Sequence, residues 1–171
     1  ISIDTYRAKV ASDAVSSGAT IVNDISAGDD DVDMLATVGR LQVPYIAMHK
    51  KGSPKTMQNQ PTYNNVLEEV VDYFDKKVEQ FKQHRMVDVI LDPGFGFGKT
   101  VNHNYTLLRH LDTFQRLLKR PVLVGFSRKS MINKVLGTSP AQAIHGTTVL
   151  NTLALEKGDN IIRMHHIHEA K

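Results

Sequence analysis

The sequence predicts an α/β fold with a parallel sheet, read as part of a TIM-type (β/α)8 barrel. Three observations carry that prediction. Short apolar, β-branched runs alternate with helix-period segments along the whole chain. The runs are nearly continuous, as expected of parallel strands covered on both faces. Each run also ends in, or just before, polar residues. An open doubly wound sheet places its ligand at a switch point and uses two or three strand ends, whereas a barrel brings all of them to one mouth. The pattern favours the barrel, with an open sheet as the alternative.

The elements follow in order. The run 1-ISID closes on Asp4, and Ala8, Ala11, Ala14 and Val15 give a helix over 8–17. The run 20-TIVND ends at Asn23 and Asp24 and precedes a helix over 32–40. The run 43-VPYIAM delivers Met48 and His49. Over 64–84, Val66, Val70, Phe74 and Val78 recur every four residues beside Leu67 and Val71, the stripe of an amphipathic helix. The run 87-VDVILD closes on Asp92, and a helix over 104–119 carries Leu107, Leu108, Leu111, Phe114 and Leu118. After 121-PVLVG come Ser127, Arg128 and Lys129, then a short helical turn over 128–136. A helix over 140–157 carries Ile144, Thr148, Asn151 and Leu155, and 161-IIRMH supplies Arg163 and His165. No repeat or linker divides the chain, so residues 1–171 are expected to form one domain.

With 41% apolar residues the chain can bury a single core. It contains no cysteine, which excludes disulfides and thiolate metal sites. No apolar run approaches membrane-spanning length and no signal peptide is visible, so a soluble, cytoplasmic protein without membrane contact is expected. The net charge of +3 suits an anionic small ligand, and the low aromatic content argues against a nucleic-acid partner. The chain opens on Ile1 inside a strand-like run, which suggests a piece of something longer.

The stretch 91-LDPGFGFGKT-100 ends like a phosphate-binding loop. The spacing fails. A G-x-x-x-x-G-K-S/T loop needs glycine where Pro93 stands, and Gly94, Gly96 and Gly98 give G-x-G-x-G instead of G-x-G-x-x-G. What remains is a tight turn after a strand, in which glycine permits positive φ and close backbone approach while Pro93 stiffens the exit. Phe95 and Phe97 should point to opposite sides of it.

Together with 1-ISIDTYR, 22-VNDIS, 47-AMHKKGSPKTMQ, 124-VGFSRKSMI and 161-IIRMHHIHEA, this stretch resembles the dihydropteroate synthase family of folate biosynthesis. The motifs span the chain in the family's order. The resemblance implies a six-strand portion of the barrel, strands three to eight, lacking the first two strands and the final helix. It also implies a transferase that joins 6-hydroxymethyl-7,8-dihydropterin diphosphate to p-aminobenzoate, a target of sulfonamides and a homodimer built through barrel helices. Mg²⁺ is the implied cofactor, its protein ligand lying outside these residues. The 171 residues alone are expected to be inactive, with strand edges left open that normally pair.

By the same resemblance Asp4, Asp92 and Lys129 are the catalytic residues. Asp92 would hold the amino-pyrimidine edge of the pterin, since a carboxylate accepts two parallel N–H bonds. Asn23 would bind a neighbouring ring nitrogen, and Asp4 the far side. Helix capping is the plain alternative for both aspartates. Lys129 would donate to the acceptor-rich edge, although an Arg-Lys pair alone usually marks a solvated helix start. Met48 would pack on the ring face or simply fill the barrel core. Phe97 and Ser127 would line the p-aminobenzoate pocket, with Gly96 beside them among the substrate-binding residues. Arg163 and His165, two positions apart on a strand, would share a face and bind the diphosphate.

Several features have plainer readings. The run 165-HHIH-168 suggests zinc but lacks the ligand set, so His166 and His168 are expected at the surface. Asp29, Asp30 and Asp31 are expected to be solvated at a helix start. Lys50, Lys51, Gly52, Ser53, Pro54 and Lys55 form a polar loop that either adds positive field at the mouth or is merely solvated. A pterin-binding methyltransferase domain is the first rival, though it should lack Lys129; an inactive pterin-binding module and a nucleic-acid binder follow.

Overall fold

In the computed structural model, which describes residues 1–52, 61–158, 161–165 and 168, each predicted run forms a strand shorter than the run itself. They are β1 (Ser2–Asp4), β2 (Ile21–Asp24), β3 (Tyr45–Met48), β4 (Val89–Asp92), β5 (Leu123–Val124) and β6 (Ile161–Ile162). The helices between them are α1 (Ala8–Ser16), α2 (Met34–Leu41), α3 (Val66–Gln83), α4 (Val101–Arg109), α5 (Leu111–Leu118), α6 (Ser130–Leu136) and α7 (Ile144–Glu156). β1 to β4 form one parallel sheet in sequence order and β5 pairs with β6. A parallel bridge from Leu91 to Val122 joins the two. The strand order therefore runs without interruption from β1 to β6, as in a portion of a (β/α)8 barrel.

Register places the candidate residues at two heights. Asp4 stands level with Asn23, Ile46 and Ile90, and Met48 and Asp92 stand level with each other two residues nearer the C-terminal end. The opposite faces of these strands carry Val22, Tyr45, Ala47, Val89 and Leu91, all buried against the helices. On α3, Val70, Phe74 and Phe81 pack into that layer with no exposure. Burying each such side chain contributes about 1.5–3 kcal/mol, so this stripe dominates the helix's docking. Asn65 caps α3 by accepting from Leu67 N at 3.1 Å and Glu68 N at 3.3 Å.

The boundaries depart from expectation for identifiable reasons. The helix expected over 104–119 is two helices, because His110 leaves helical geometry at φ −109°, ψ 27°. The break lets α4 lie between α3 and α6 while α5 packs on α3. Arg128 takes φ +60°, so α6 begins only at Ser130. The segment over 140–157 opens as a 3-10 turn at Pro140–Gln142 before α7. None of the described helices is long and apolar enough to cross a membrane.

The acidic run is not simply solvated, which corrects the expectation from sequence. Asp29 binds the Lys77 ammonium of α3 at 2.6 Å and accepts from Tyr73 Oη at 2.8 Å. Asp30 pairs with Lys50 at 2.6 Å. Asp31 accepts from Ala8 N at 2.8 Å and so caps α1. The run thus ties the β2–α2 loop to α1, α3 and the end of β3. Because the Lys77 side chain is only 7% exposed while Asp29 is 52% exposed, the two partners are not equivalent. Asp29→Ala leaves a buried ammonium unpaired and should destabilise by about 2 kcal/mol. Lys77→Met, which leaves a carboxylate in reach of water, should cost clearly less. Urea unfolding of the two variants checks the order.

Candidate active site

The glycine turn is built by its hydrogen bonds. Gly94, Gly96 and Gly98 have φ of +69°, +83° and +63°. The turn lies directly on the end of β3, where a Cβ at Gly94 would stand 1.9 Å from the His49 carbonyl oxygen. Gly94 N donates to Asp92 Oδ1 at 2.7 Å, Gly96 N to Asn104 Oδ1 at 2.7 Å, and Phe97 N to Gly94 O at 3.0 Å. The carbonyls turn toward cations. Lys99 Nζ donates to Gly94 O at 3.0 Å and Phe97 O at 3.1 Å, and Lys129 Nζ to Phe95 O at 2.6 Å. A phosphate cradle offers N–H groups to an anion; this turn spends those of Gly94, Gly96 and Phe97 on protein oxygens and offers carbonyls to ammonium groups. It is a backbone support for side chains. As expected, its two phenylalanines part: Phe95 is fully buried against Phe126, and Phe97 lines an open cleft.

That cleft, of about 410 Å³, is where most of the candidate residues meet: Met48, Asp92, Phe97, Ser127, Lys129, Arg163 and His165 all line it. Asp92 is 6% exposed. Burial holds its carboxyl above the usual carboxylate range, against Lys129, the Gly94 N–H, Lys99 and Arg163, which all favour the charged form. Its Oδ2 accepts no hydrogen bond among the described residues, so one carboxylate oxygen is free to receive a ligand donor. Lys129 occupies the N-cap position of α6 in extended geometry. Its ammonium lies 5.1 Å above the Phe97 ring. Burial lowers its pKa, Asp92 raises it and Arg163 lowers it. With one donor on Phe95 O, Lys129 keeps two for a ligand.

Ser127 Oγ lies 2.9 Å from His165 Nδ1 and accepts from His165 N at 3.3 Å, which holds the imidazole at the cleft edge. Arg163 and His165 share the cleft but stand beyond the end of β6. Gly96 does not line the cleft. A Cβ there would meet Lys129 Cδ at 3.4 Å, an ordinary contact, so it is the φ of +83° that calls for glycine at this position.

Asp4 and Asn23 belong to a second cavity, of about 290 Å³, on the inner face of the strands. Arg163 lines both. Asp4 Oδ2 is 3.1 Å from Arg163 Nη2, so the aspartate expected at the far side of the pterin and the arginine expected at the diphosphate are partners of each other. The expected field from Lys50 and Lys51 is also engaged, by Asp30 and by Glu69 at 3.0 Å. Ser53, Pro54, Lys55 and His166 lie outside the described residues, and His168 is exposed.

Sequence reasoning left Lys99 as the end of a failed phosphate motif, whereas it is one of the most buried polar groups, 3% exposed. Burial pushes its ammonium down to about 7, with Asp92 opposing and Lys129 reinforcing the shift. Its neighbour His49 is pushed by burial, Lys99 and Lys51 to about 2 and stays neutral. His49 Nδ1, 2.9 Å from Lys99 Nζ, then acts as an acceptor. A lysine directly after a glycine-rich turn was the available signal.

A barrel-type parallel sheet that brings a carboxylate, an ammonium and the Phe97 ring to one cleft at its C-terminal mouth has the arrangement of a small-molecule site. Residues 1–165 match the sequence profile of the pterin binding enzyme family, and the chain belongs to that family. It is similar to the dihydropteroate synthase of Synechocystis, 41% identical over 98% of this chain and 58% of that protein. Among solved structures it superposes on dihydropteroate synthase from Stenotrophomonas maltophilia with active site-bound imidazole, at a TM-score of 0.95 and 32% identity, covering 99% of this chain and 64% of that one. The Thermus thermophilus dihydropteroate synthase in complex with 6HMPPP gives a TM-score of 0.93 and 37% identity over 99% of this chain and 67% of that one. The chain thus spans about 60% of the length of the curated relatives it matches.

Proposed function

We propose that the protein carrying this chain is a dihydropteroate synthase. It would condense 6-hydroxymethyl-7,8-dihydropterin diphosphate with p-aminobenzoate to 7,8-dihydropteroate and diphosphate. The observation that carries the reading is the pairing, in one cleft, of a buried carboxylate with a free oxygen and a lysine with free donors, Asp92 and Lys129. These two groups complement the donor and acceptor edges of a pterin, and Met48 and Phe97 bring apolar surface to the same cleft. The solved Thermus thermophilus relatives in complex with 4-aminobenzoate and with 6HMPPP support the choice of substrates.

In this reading the C–O bond to diphosphate breaks with its electron pair leaving on oxygen. The p-aminobenzoate nitrogen then bonds to the exocyclic carbon and loses a proton. Asp92 stabilises the positive charge that develops on the pterin, and Arg163 and His165 receive the leaving anion. Diphosphate would compete with Asp4 for the Arg163 guanidinium. Mg²⁺ stands as the expected cofactor, supplying further neutralisation of the diphosphate when bound. The described residues offer no group of three or more carboxylate or imidazole side chains to hold it; Arg163 and His165, which line the cleft, are this chain's own groups toward the leaving anion. A homodimer through barrel helices is supported by Val135 and Leu136 of α6 and Val149 of α7, each more than half exposed.

Product formation by the full-length protein, supplied with pterin diphosphate, p-aminobenzoate and Mg²⁺, tests the reading; dihydropteroate is expected. Pterin binding by folded protein without product would identify an inactive binding module instead. The 171 residues alone should form none, because β1 pairs only with β2 and β6 only with β5 among the described residues.

A further inference from the structure

Lys99 has no part in the reaction as described, yet its contacts converge on both halves of the cleft. Its ammonium lies 2.9 Å from His49 Nδ1, 3.0 Å from Gly94 O, 3.1 Å from Phe97 O and 3.4 Å from His49 O. All its donors are therefore spent on the turn and on the end of β3, which is the condition for holding an ammonium at 3% exposure. Gly94, which accepts from Lys99, donates to Asp92 Oδ1 at 2.7 Å. Phe97, which also accepts from it, carries the ring on the opposite end of the turn. Behind them, Asn104 Nδ2 donates to Thr100 O at 2.7 Å and its Oδ1 takes Gly96 N, so the exit of the turn is anchored separately. One ammonium therefore binds the backbone units that place the cleft's carboxylate and its aromatic wall.

We propose that Lys99 is a positioning residue that fixes Asp92 and Phe97 relative to each other and thereby couples the pterin site to the p-aminobenzoate site. The inference rests on the synthase reading for the identity of the two ligands. It does not place Lys99 in contact with either one. A lysine that only stabilised the fold would not change the two sites together in a folded variant.

The test uses the full-length protein and its Lys99→Met variant. Affinity for 6-hydroxymethyl-7,8-dihydropterin is read by calorimetry without turnover, and KM for p-aminobenzoate by product formation. With circular dichroism unchanged, the variant should bind the pterin about tenfold more weakly and show a KM about tenfold higher. Phe97→Ala should raise KM for p-aminobenzoate by more than it weakens pterin affinity. The double variant should raise KM no further than Phe97→Ala alone, because Lys99 acts on that substrate through Phe97. A folded Lys99→Met protein within twofold of wild type on both measures, or an additive double variant, would overturn the proposal. Should Lys99→Met fail to fold, Lys99→Gln is read by the same two measurements against the same limits. A wild-type protein that binds the pterin but makes no dihydropteroate sinks the enzymatic reading, and the calorimetric arm still decides the role of Lys99.

Discussion

Asp92→Asn is expected to abolish pterin recognition while leaving the protein folded. The amide is nearly isosteric, and its oxygen can retain the bond from Gly94 N, which is 2.7 Å in the wild type. Its NH₂ then faces the cleft where Oδ2 accepts a ligand N–H, so a donor meets a donor. The charge-assisted bond at Oδ2 is lost, the remaining oxygen loses its charge and a ligand donor is left unpaired, a loss of about 4 kcal/mol, or roughly three orders of magnitude in affinity. Stability should move little. Burial already disfavours the ionised carboxyl, which is why its pKa is raised, and the amide escapes that penalty. The same shift sets a pH dependence. Protonation of Asp92 begins above the ordinary carboxylate range, so wild-type affinity should fall on acidification earlier than a solvated aspartate would cause. Calorimetry across pH, beside thermal unfolding, reads all three effects. Unchanged affinity in the variant would move the pterin to the cavity of Asp4 and Asn23.

Gly94→Ala should be the most destabilising single-methyl change at the site. A Cβ there stands 1.9 Å from the carbonyl oxygen of His49. That carbonyl cannot easily yield, because His49 N is bonded to Asp92 O at 2.9 Å and β3 is in register with β4. Strain at positive φ adds about 1–2 kcal/mol, and the backbone clash brings the expected loss to about 4 kcal/mol or more. Gly137 isolates the contact. Its φ of +65° is nearly that of Gly94, but nothing lies within 4 Å of a Cβ built on it. Gly137→Ala should therefore lose only the strain. Urea unfolding of the two variants separates clash from conformation, and equal losses would show that the close approach to β3 does not matter.

The glycine turn also shows how far sequence reasoning reaches. Its spacing excluded a phosphate loop, and the hydrogen bonds agree, since the turn directs carbonyls at ammonium groups. The alternation of apolar runs and helical stripes located each strand among the described residues, because side-chain periodicity is a local property of strand and helix geometry. The break at His110 escaped, since no glycine or proline marks it and the leucine pattern continues through it. So did the work of Asp29 and Asp31, whose partners on α3 and α1 lie far along the chain.

By itself the sequence determined the alternation of elements, the polar residues at strand ends and, through the motifs it shares with a family, the side chains that form the cleft. Only the tertiary structure decided which of those side chains are already engaged. Asp4 and Arg163 are 159 residues apart, and their pairing exists because the sheet curves far enough to bring β1 near the end of β6. Lys99 likewise looks like any lysine after a turn until the turn packs on β3 and removes it from water. Periodicity encodes the face a residue takes on its own element; its partner across the fold depends on how distant elements meet.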